Sequence, residues 1–242
     1  MPHAIHRKPV SLTLRDLDWE AMGAALDAQG YAVTPPLLNS EQCRALRGLY
    51  PHQELFRSRV VMARHSFGQG EYQYLRYPLP AVVQELRQSI YPMLVPIANL
   101  WRARLGEGEP FPVTHDAYLR RCHAAGQGRP TPLILKYGPG DYNCLHQDLY
   151  GELVFPLQMT ILLSEPGAEF AGGEFTLVEQ RPRMQSKAEM VPLRQGEAVI
   201  FAVHHRPVPG KRGTYRVNLR HGVSRVRSGE RYTLGIIFHD AA

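Results

Sequence analysis

The sequence predicts a mainly β fold, a sandwich or barrel, with supporting α-helices. Three observations carry that expectation. From Thr131 onward, short apolar runs alternate with Gly and Pro turns: PLILKY, LVFPLQMTILL, GEFTLVE, EAVIFAV, YRVNLRHGVSRV and RYTLGIIF. Helical periodicity is confined to the residues before that point. The 20 Pro and 21 Gly supply more turns than a helical bundle needs.

The opening residues, MPHAIHRKPV, are polar, so residues 1–13 are expected to be flexible. They lack the apolar run of a signal peptide. Residues 14–29 read as a helix stopped by Gly30, and Tyr31–Leu38 as an extended piece. Asn39 and Gln42 have the spacing of a capping box, which opens a helix whose apolar side is Cys43, Leu46 and Leu49. Residues 52–79 show no clear period and are rich in aromatics and arginine. A strong helical stripe follows from Val82 through Leu86, Ile90, Leu94 and Ile97 to Trp101. Pro92 and Pro96 lie inside it, so a kink or two pieces are expected. A short helix fits residues 114–123. The chain reads as one domain over residues 1–242, with 14–130 as mostly helical support and lid and 131–240 as the β core.

Apolar content of 44% with 21% charged residues excludes a disordered chain. Cys43, Cys122 and Cys144 are odd in number and form no CxxC pair, which argues against a disulfide framework or a structural zinc site. No stretch approaches the ~18 uncharged apolar residues of a membrane span. A cytoplasmic protein with no membrane association is expected.

The loop after PLILKY reads GPGDYNCLHQDLYGE. On an extended segment alternate side chains share a face, so His146 and Asp148 reach a common point. Two histidines and one carboxylate on one side of a metal leave other positions open, the arrangement of non-haem Fe(II) oxygenases. His-X-Asp alone is a weak signal, and the third ligand must come from elsewhere. His221 sits on a strand-like segment far downstream, and Arg231 follows across a turn at Ser228-Gly229. A hairpin there would bring His221 and Arg231 to one end of the barrel. His204 and His205 are the rival third ligands. Neighbouring strand residues face opposite ways, and His205 precedes Arg206-Pro207 in an expected loop, with no arginine following at a matching place. His239 reads as a strand end, His115-Asp116 as a helix start, and Cys144 as a small thiol rather than a ligand. Arg231 could instead form a surface ion pair with Glu230.

The pieces YGPGDYNCLHQD and HGV…RYT resemble the Fe(II)/2-oxoglutarate-dependent oxygenases, over about residues 131–240. The resemblance implies a double-stranded β-helix, a jelly-roll core of cupin type with the N-terminal helices packed on it. It implies His146, Asp148 and His221 as iron ligands and Arg231 as the partner of the distal 2-oxoglutarate carboxylate. Arginine's planar fork suits that carboxylate. Thr233 lies on the same strand face as Arg231, so its hydroxyl could assist. Tyr137 stands where prolyl-hydroxylase-like members place a tyrosine against the co-substrate; core packing is its competing reading. Gln158 and Thr160 could line the pocket or a solvated sheet face. The implied reaction consumes O2 and 2-oxoglutarate, releases succinate and CO2, and hydroxylates a substrate C–H bond.

The substrate stays open at this level. The whole chain is similar to a bacterial family of oxygenases proposed to demethylate damaged DNA oxidatively, through GYAVTPPLL, the YGPGDYNCLHQDLYGELVFPLQ loop and HGVSRVRSGERYTLGIIFHDA. The net charge of +6 and the run Arg206, Lys211, Arg212, Arg216, Arg220, Arg225, Arg227 and Arg231 agree with an anionic partner. Arg57, Arg59, Tyr72, Tyr74, Arg76 and Tyr77 could add a stacking platform for a single-stranded or flipped nucleotide, or could be a lid or core segment. The His-X-Asp segment itself looks closer to prolyl hydroxylases, which implies a protein residue, an amino acid or a small metabolite. A non-enzymatic cupin-like binding module is the third class.

Overall fold

The computed structural model describes Leu14 and residues 16–211 and 213–242. The expectation of a flexible segment 1–13 lies outside the described residues, as does Arg212.

Helix α1 (Trp19–Gln29) starts under Asp18, whose side chain accepts from the Ala21 N–H, and stops at Gly30 in the left-handed conformation. Strand β1 (Tyr31–Val33) follows. Helix α2 (Ser40–Gly48) opens on the expected capping box, with Asn39 and Gln42 bonded reciprocally and Cys43 and Leu46 buried. Residues 52–79 depart from the irregular reading. They hold β2 (Phe56–Val61), β3 (Gly68–Gln69) and β4 (Glu71–Leu75). The alternation in FRSRVV and EYQYL is a strand period in which Arg and Tyr present polar ends from partly apolar bodies.

Helix α3 (Ala81–Leu105) is one continuous element through Pro92 and Pro96, not two pieces. Each internal proline costs a helix roughly 3 kcal/mol. Here Ile90, Tyr91, Leu94, Val95 and Ala98 around them are buried, and that packing outweighs the cost. Helix α4 (His115–Ala124) is capped by Thr114.

The β half runs β5 (Leu133–Tyr137), β6 (Tyr142–His146), β7 (Leu157–Leu162), β8 (Phe170–Gly172), β9 (Phe175–Gln180), β10 (Lys187–Val191), β11 (Ala198–Ala202), β12 (His205–Gly210), β13 (Gly213–Val223), β14 (Val226–Gly229) and β15 (Arg231–Ile236). One sheet has the order β1-β11-β7-β15-β5-β4-β2, and the other β10-β9-β13-β6-β3 with β12 beside β13. A short β14-β8 pair lies apart. The named pairings in both sheets are antiparallel, and non-sequential neighbours such as β7-β15-β5 make the crossovers of a jelly roll.

Two local expectations are corrected. His205-Arg206-Pro207 is not a loop but opens β12, which returns against β13 with Gly210 opposite Gly213. His221 and Arg231 do not share a hairpin. β14 intervenes, and β15 crosses to the other sheet, because its all-buried residues fit between β5 and β7.

The main core joins the helices to the seven-stranded sheet, with Tyr91 packed on Phe155, Tyr118 and Phe238. The C-terminal tail is locked by a fully buried ion pair, Arg87 Nη2 to Asp240 Oδ1 at 2.7 Å. No described helix is long and apolar enough to cross a membrane.

Candidate metal centre and co-substrate cavity

Strands β6 and β13 pair so that His146 stands directly opposite His221. Their rings lie 4.2 Å apart between centroids. The pairing shifts register just after His221, and Gly222 permits it: a Cβ there would sit 2.7 Å from the Asn143 carbonyl oxygen. Asp148 follows His146 as the chain leaves β6. Its Oδ1 is 3.4 Å from His146 Nε2 and its Oδ2 is 3.2 Å from His221 Nε2. Among the described residues, these three form the cluster whose donor atoms all lie within 4.8 Å of one another.

The ring orientations have identifiable causes. His146 Nδ1 is 2.8 Å from the Cys144 carbonyl oxygen, so Nδ1 carries the proton and Nε2 presents its lone pair to the cluster. His221 is held by Phe201 at 4.6 Å and a near-parallel Phe175 at 6.1 Å. Burial alone would protonate Asp148, but hydrogen bonds and charge from His146 and His221 hold its carboxyl well below the usual range. Burial also opposes charge on His146, yet Asp148 more than offsets it and raises this imidazole. His221 is lowered by burial and by the His146 charge. Two imidazole nitrogens and one ionised carboxylate facing a cavity suit a first-row divalent metal with positions to spare.

The cavity has a volume of about 320 Å³ and is lined by His146, Asp148, His221, Tyr137, Arg231 and Thr233. Arg231, first residue of β15 and paired with Tyr137, is 2% exposed. Its Nε and Nη1 have no hydrogen-bond partner among the described residues, and neither has Tyr137 Oη. Burial without a bonded counter-ion pushes the Arg231 guanidinium down to about 10, partly relieved by Tyr137 and Glu174. Gly173 lets the chain pass close: a Cβ there would lie 2.8 Å from Arg231 Cδ. Glu230 pairs with Lys136 at 2.9 Å instead of with Arg231. The crossover of β15 thus brings Arg231 and His221 to one cavity from opposite sheets.

The rival histidines point elsewhere. His205 pairs with Glu107 at 3.1 Å, and the His204 ring meets the His205 ring edge-on. His239 Nδ1 accepts from the Phe155 N–H at 3.3 Å, and His115 Nε2 meets the Phe238 carbonyl oxygen at 2.8 Å. Gln158 lines the cavity, as does Thr160. Tyr150 was not legible as a site residue. Its Oη donates to Asp148 Oδ1 at 2.7 Å, and Gln158 Nε2 donates to Oδ2 at 2.7 Å. The only sequence signal for Tyr150 is its place two residues beyond Asp148.

The basic run does not make one surface. Arg206 is buried on Glu179 at 2.6 Å, Arg216 pairs with Glu107 at 2.8 Å, and Arg231 lines the cavity, while Arg220, Arg225 and Arg227 are exposed. In the aromatic segment Arg59 pairs with Glu71, Arg57 lies 4.3 Å over the Tyr74 ring, and Tyr77 donates to Asp240. Tyr72 lines the cavity.

Residues 70–241 match the family model Oxygenase-NA, described as an oxygenase catalysing oxidative methylation of damaged DNA. The chain belongs to this oxygenase family. The oxygenase is also 55% identical over 165 residues to two uncharacterised proteins of Mycobacterium tuberculosis, strains CDC 1551 and H37Rv, covering 68% of this chain and 71% of each relative. Its fold is similar to a Pseudomonas putida prolyl-4-hydroxylase at a TM-score of 0.50 and 14% identity, over 90% of this chain and 96% of the other. A Trichoplax adhaerens prolyl hydroxylase, solved with a peptide fragment of hypoxia inducible factor, superposes at 0.50 and 13% identity, covering 95% and 92%. The non-haem α-ketoglutarate-dependent epimerase SnoN of nogalamycin biosynthesis does so at 0.51 and 15%, covering 90% and 81%. Membership of an oxygenase family sets aside the non-enzymatic binding module.

Proposed function

We propose that this oxygenase is an Fe(II)- and 2-oxoglutarate-dependent dioxygenase that hydroxylates an N-methyl group of alkylated nucleic acid. The observation that carries the reaction class is Arg231. A buried guanidinium with two free N–H sites beside a His-Asp-His cluster calls for a carboxylate, and 2-oxoglutarate supplies one at a length that reaches toward a metal. His146 Nε2, His221 Nε2 and the Asp148 carboxylate would hold the iron. Arg231 would bind the distal carboxylate, with Tyr137 Oη and Thr233 Oγ1 as further hydrogen-bond partners for it. Bound iron, O2 and 2-oxoglutarate together supply the oxidising equivalent for oxygen insertion into C–H, as the keto acid becomes succinate and CO2.

The chain's own residues do the positioning. Aromatic and aliphatic side chains such as Phe175, Phe201 and Ile237 give the cavity an apolar wall. Oxygen insertion into an N–CH3 group gives a hemiaminal that expels formaldehyde, so this chemistry removes a methyl group. The family description supports damaged DNA as substrate. The exposed Arg220, Arg225 and Arg227 agree with an anionic partner.

A second reading has its own observation. The rim includes Phe67 at 47% and Leu145 at 44% exposure, and no exposed lysine or arginine among the described residues lines the cavity. That favours a neutral group on a protein residue, an amino acid or a small metabolite. Succinate release measured with iron and 2-oxoglutarate tests the reaction class. Formaldehyde release from N-methylated single-stranded oligonucleotides then tests the substrate. Turnover on peptides or metabolites with none on any methylated oligonucleotide would select the second reading.

A further inference from the structure

Asp148 lies beyond the end of β6, where no sheet hydrogen bond fixes it. The terminal torsion of an aspartate is broad, so an unsupported carboxylate swings. This one is held at both oxygens, by Tyr150 Oη on Oδ1 and Gln158 Nε2 on Oδ2. A carboxylate only accepts, so the Gln158 amide must present its nitrogen.

The two donors come from independent elements. Gln158 is buried in β7, and its Nε2 is also 3.3 Å from His221 Nε2. Tyr150 belongs to the loop after Asp148, with its ring set edge-on to Tyr74 at 6.2 Å. That loop is clipped by Gln127, a buried residue from the connection between α4 and β5. Gln127 Oε1 accepts from the Leu153 N–H at 2.8 Å, and Nε2 donates to the carbonyls of Leu153 at 3.1 Å and Asp240 at 2.8 Å. Gly151, at φ +127°, makes room: a Cβ there would lie 2.6 Å from Gln127 Cδ.

We propose that Tyr150 and Gln158 are positioning residues that fix the Asp148 carboxylate between His146 and His221, with Gln127 holding the loop that carries Tyr150. The proposal rests on the reading of His146, Asp148 and His221 as metal ligands. Removing a donor to a ligating carboxylate typically weakens metal binding by about 10–100-fold.

The experiment titrates the wild-type chain, Tyr150→Phe and Gln158→Leu with Co(II), without 2-oxoglutarate or substrate. Affinity is read by calorimetry, and the site by the Co(II) visible absorption. Tyr150→Phe keeps the ring on Tyr74 and removes only the hydroxyl. The expected result is a Kd raised about 10–100-fold in each variant, an altered absorption band, and an apo-protein melting temperature near that of the wild type. Wild-type affinity and spectrum in both variants would overturn the positioning role. If Tyr150→Phe does not fold, Gln158→Leu decides on the same criterion. A wild-type chain that binds no Co(II) would overturn the ligand reading itself, so the two failures are distinguishable.

Discussion

A guanidinium taken out of water without a carboxylate costs several kcal/mol, so Arg231 is a destabilising residue until an anion meets it. This gives Arg231→Leu two opposite effects. Losing one side of a buried charge pair costs about 2–5 kcal/mol of binding, so 2-oxoglutarate affinity should fall by roughly 30-fold or more. The apo-protein should melt at or above the wild-type temperature, because an unpaired charge has left the interior. Calorimetric titration with 2-oxoglutarate and a thermal melt check both, and a variant with wild-type affinity removes Arg231 from the co-substrate site. His146→Ala is the companion change: Fe(II) or Co(II) affinity should drop by at least about tenfold, while a variant with full metal affinity sinks His146 as a ligand. The sequence could single out these candidates because their spacing is local. His146 and Asp148 are two residues apart at the end of β6, and Arg231 and Thr233 share a face of β15. Gln127 and Tyr150 were not, since one amide tying a distant loop to the C-terminal tail leaves no periodic trace.

At the scale of elements, the site depends on how closely β6 and β13 approach. Gly222 faces backbone atoms on β6, and backbone cannot step aside as a flexible side chain can. Gly222→Ala should therefore push apart the two strands that carry His146 and His221, lowering metal affinity by about tenfold or more. Gly48, at the end of α2, has nothing within 4 Å of its would-be Cβ. Gly48→Ala should leave metal affinity unchanged and alter stability by no more than about 1 kcal/mol. Equal Co(II) affinity in the two variants would show that the close approach at Gly222 is not needed. The sheets themselves were only partly legible. The apolar runs after Thr131 announced strands, but β2 and β4 were hidden by their arginines and tyrosines. The turn at Ser228-Gly229 locally favours a His221–Arg231 hairpin, but the crossover of β15 overrides it, because which sheet a strand joins depends on partners distant in sequence.

Across the whole molecule, helices α3 and α4 are tied to the chain's C-terminal residues by one polar cluster around the buried Asp240. Arg87 on α3 reaches the Ile237 and His239 carbonyl oxygens at 2.8 and 3.0 Å as well as Asp240. Asp240 also meets His123 on α4 at 2.8 Å and Tyr77 at 2.9 Å. This lock sits just beyond β15, the strand that starts at Arg231, and on the residue whose carbonyl Gln127 holds. Burial alone would raise the Asp240 carboxyl, but Arg87 and His123 hold it below the usual carboxylate value. A depressed folded-state value means stability that is present above the unfolded value, about 3.9, and lost as the pH falls through the folded value. Asp240→Asn leaves the buried Arg87 without its counter-charge, which should cost about 3–5 kcal/mol at neutral pH. The same variant should lose part of the acid dependence, so its stability curve and that of the wild type should converge as the pH falls. Urea denaturation of both proteins from neutral pH into the acid range measures this directly. Parallel curves, with the gap unchanged at low pH, would mean that the Asp240 charge does not stabilise the lock.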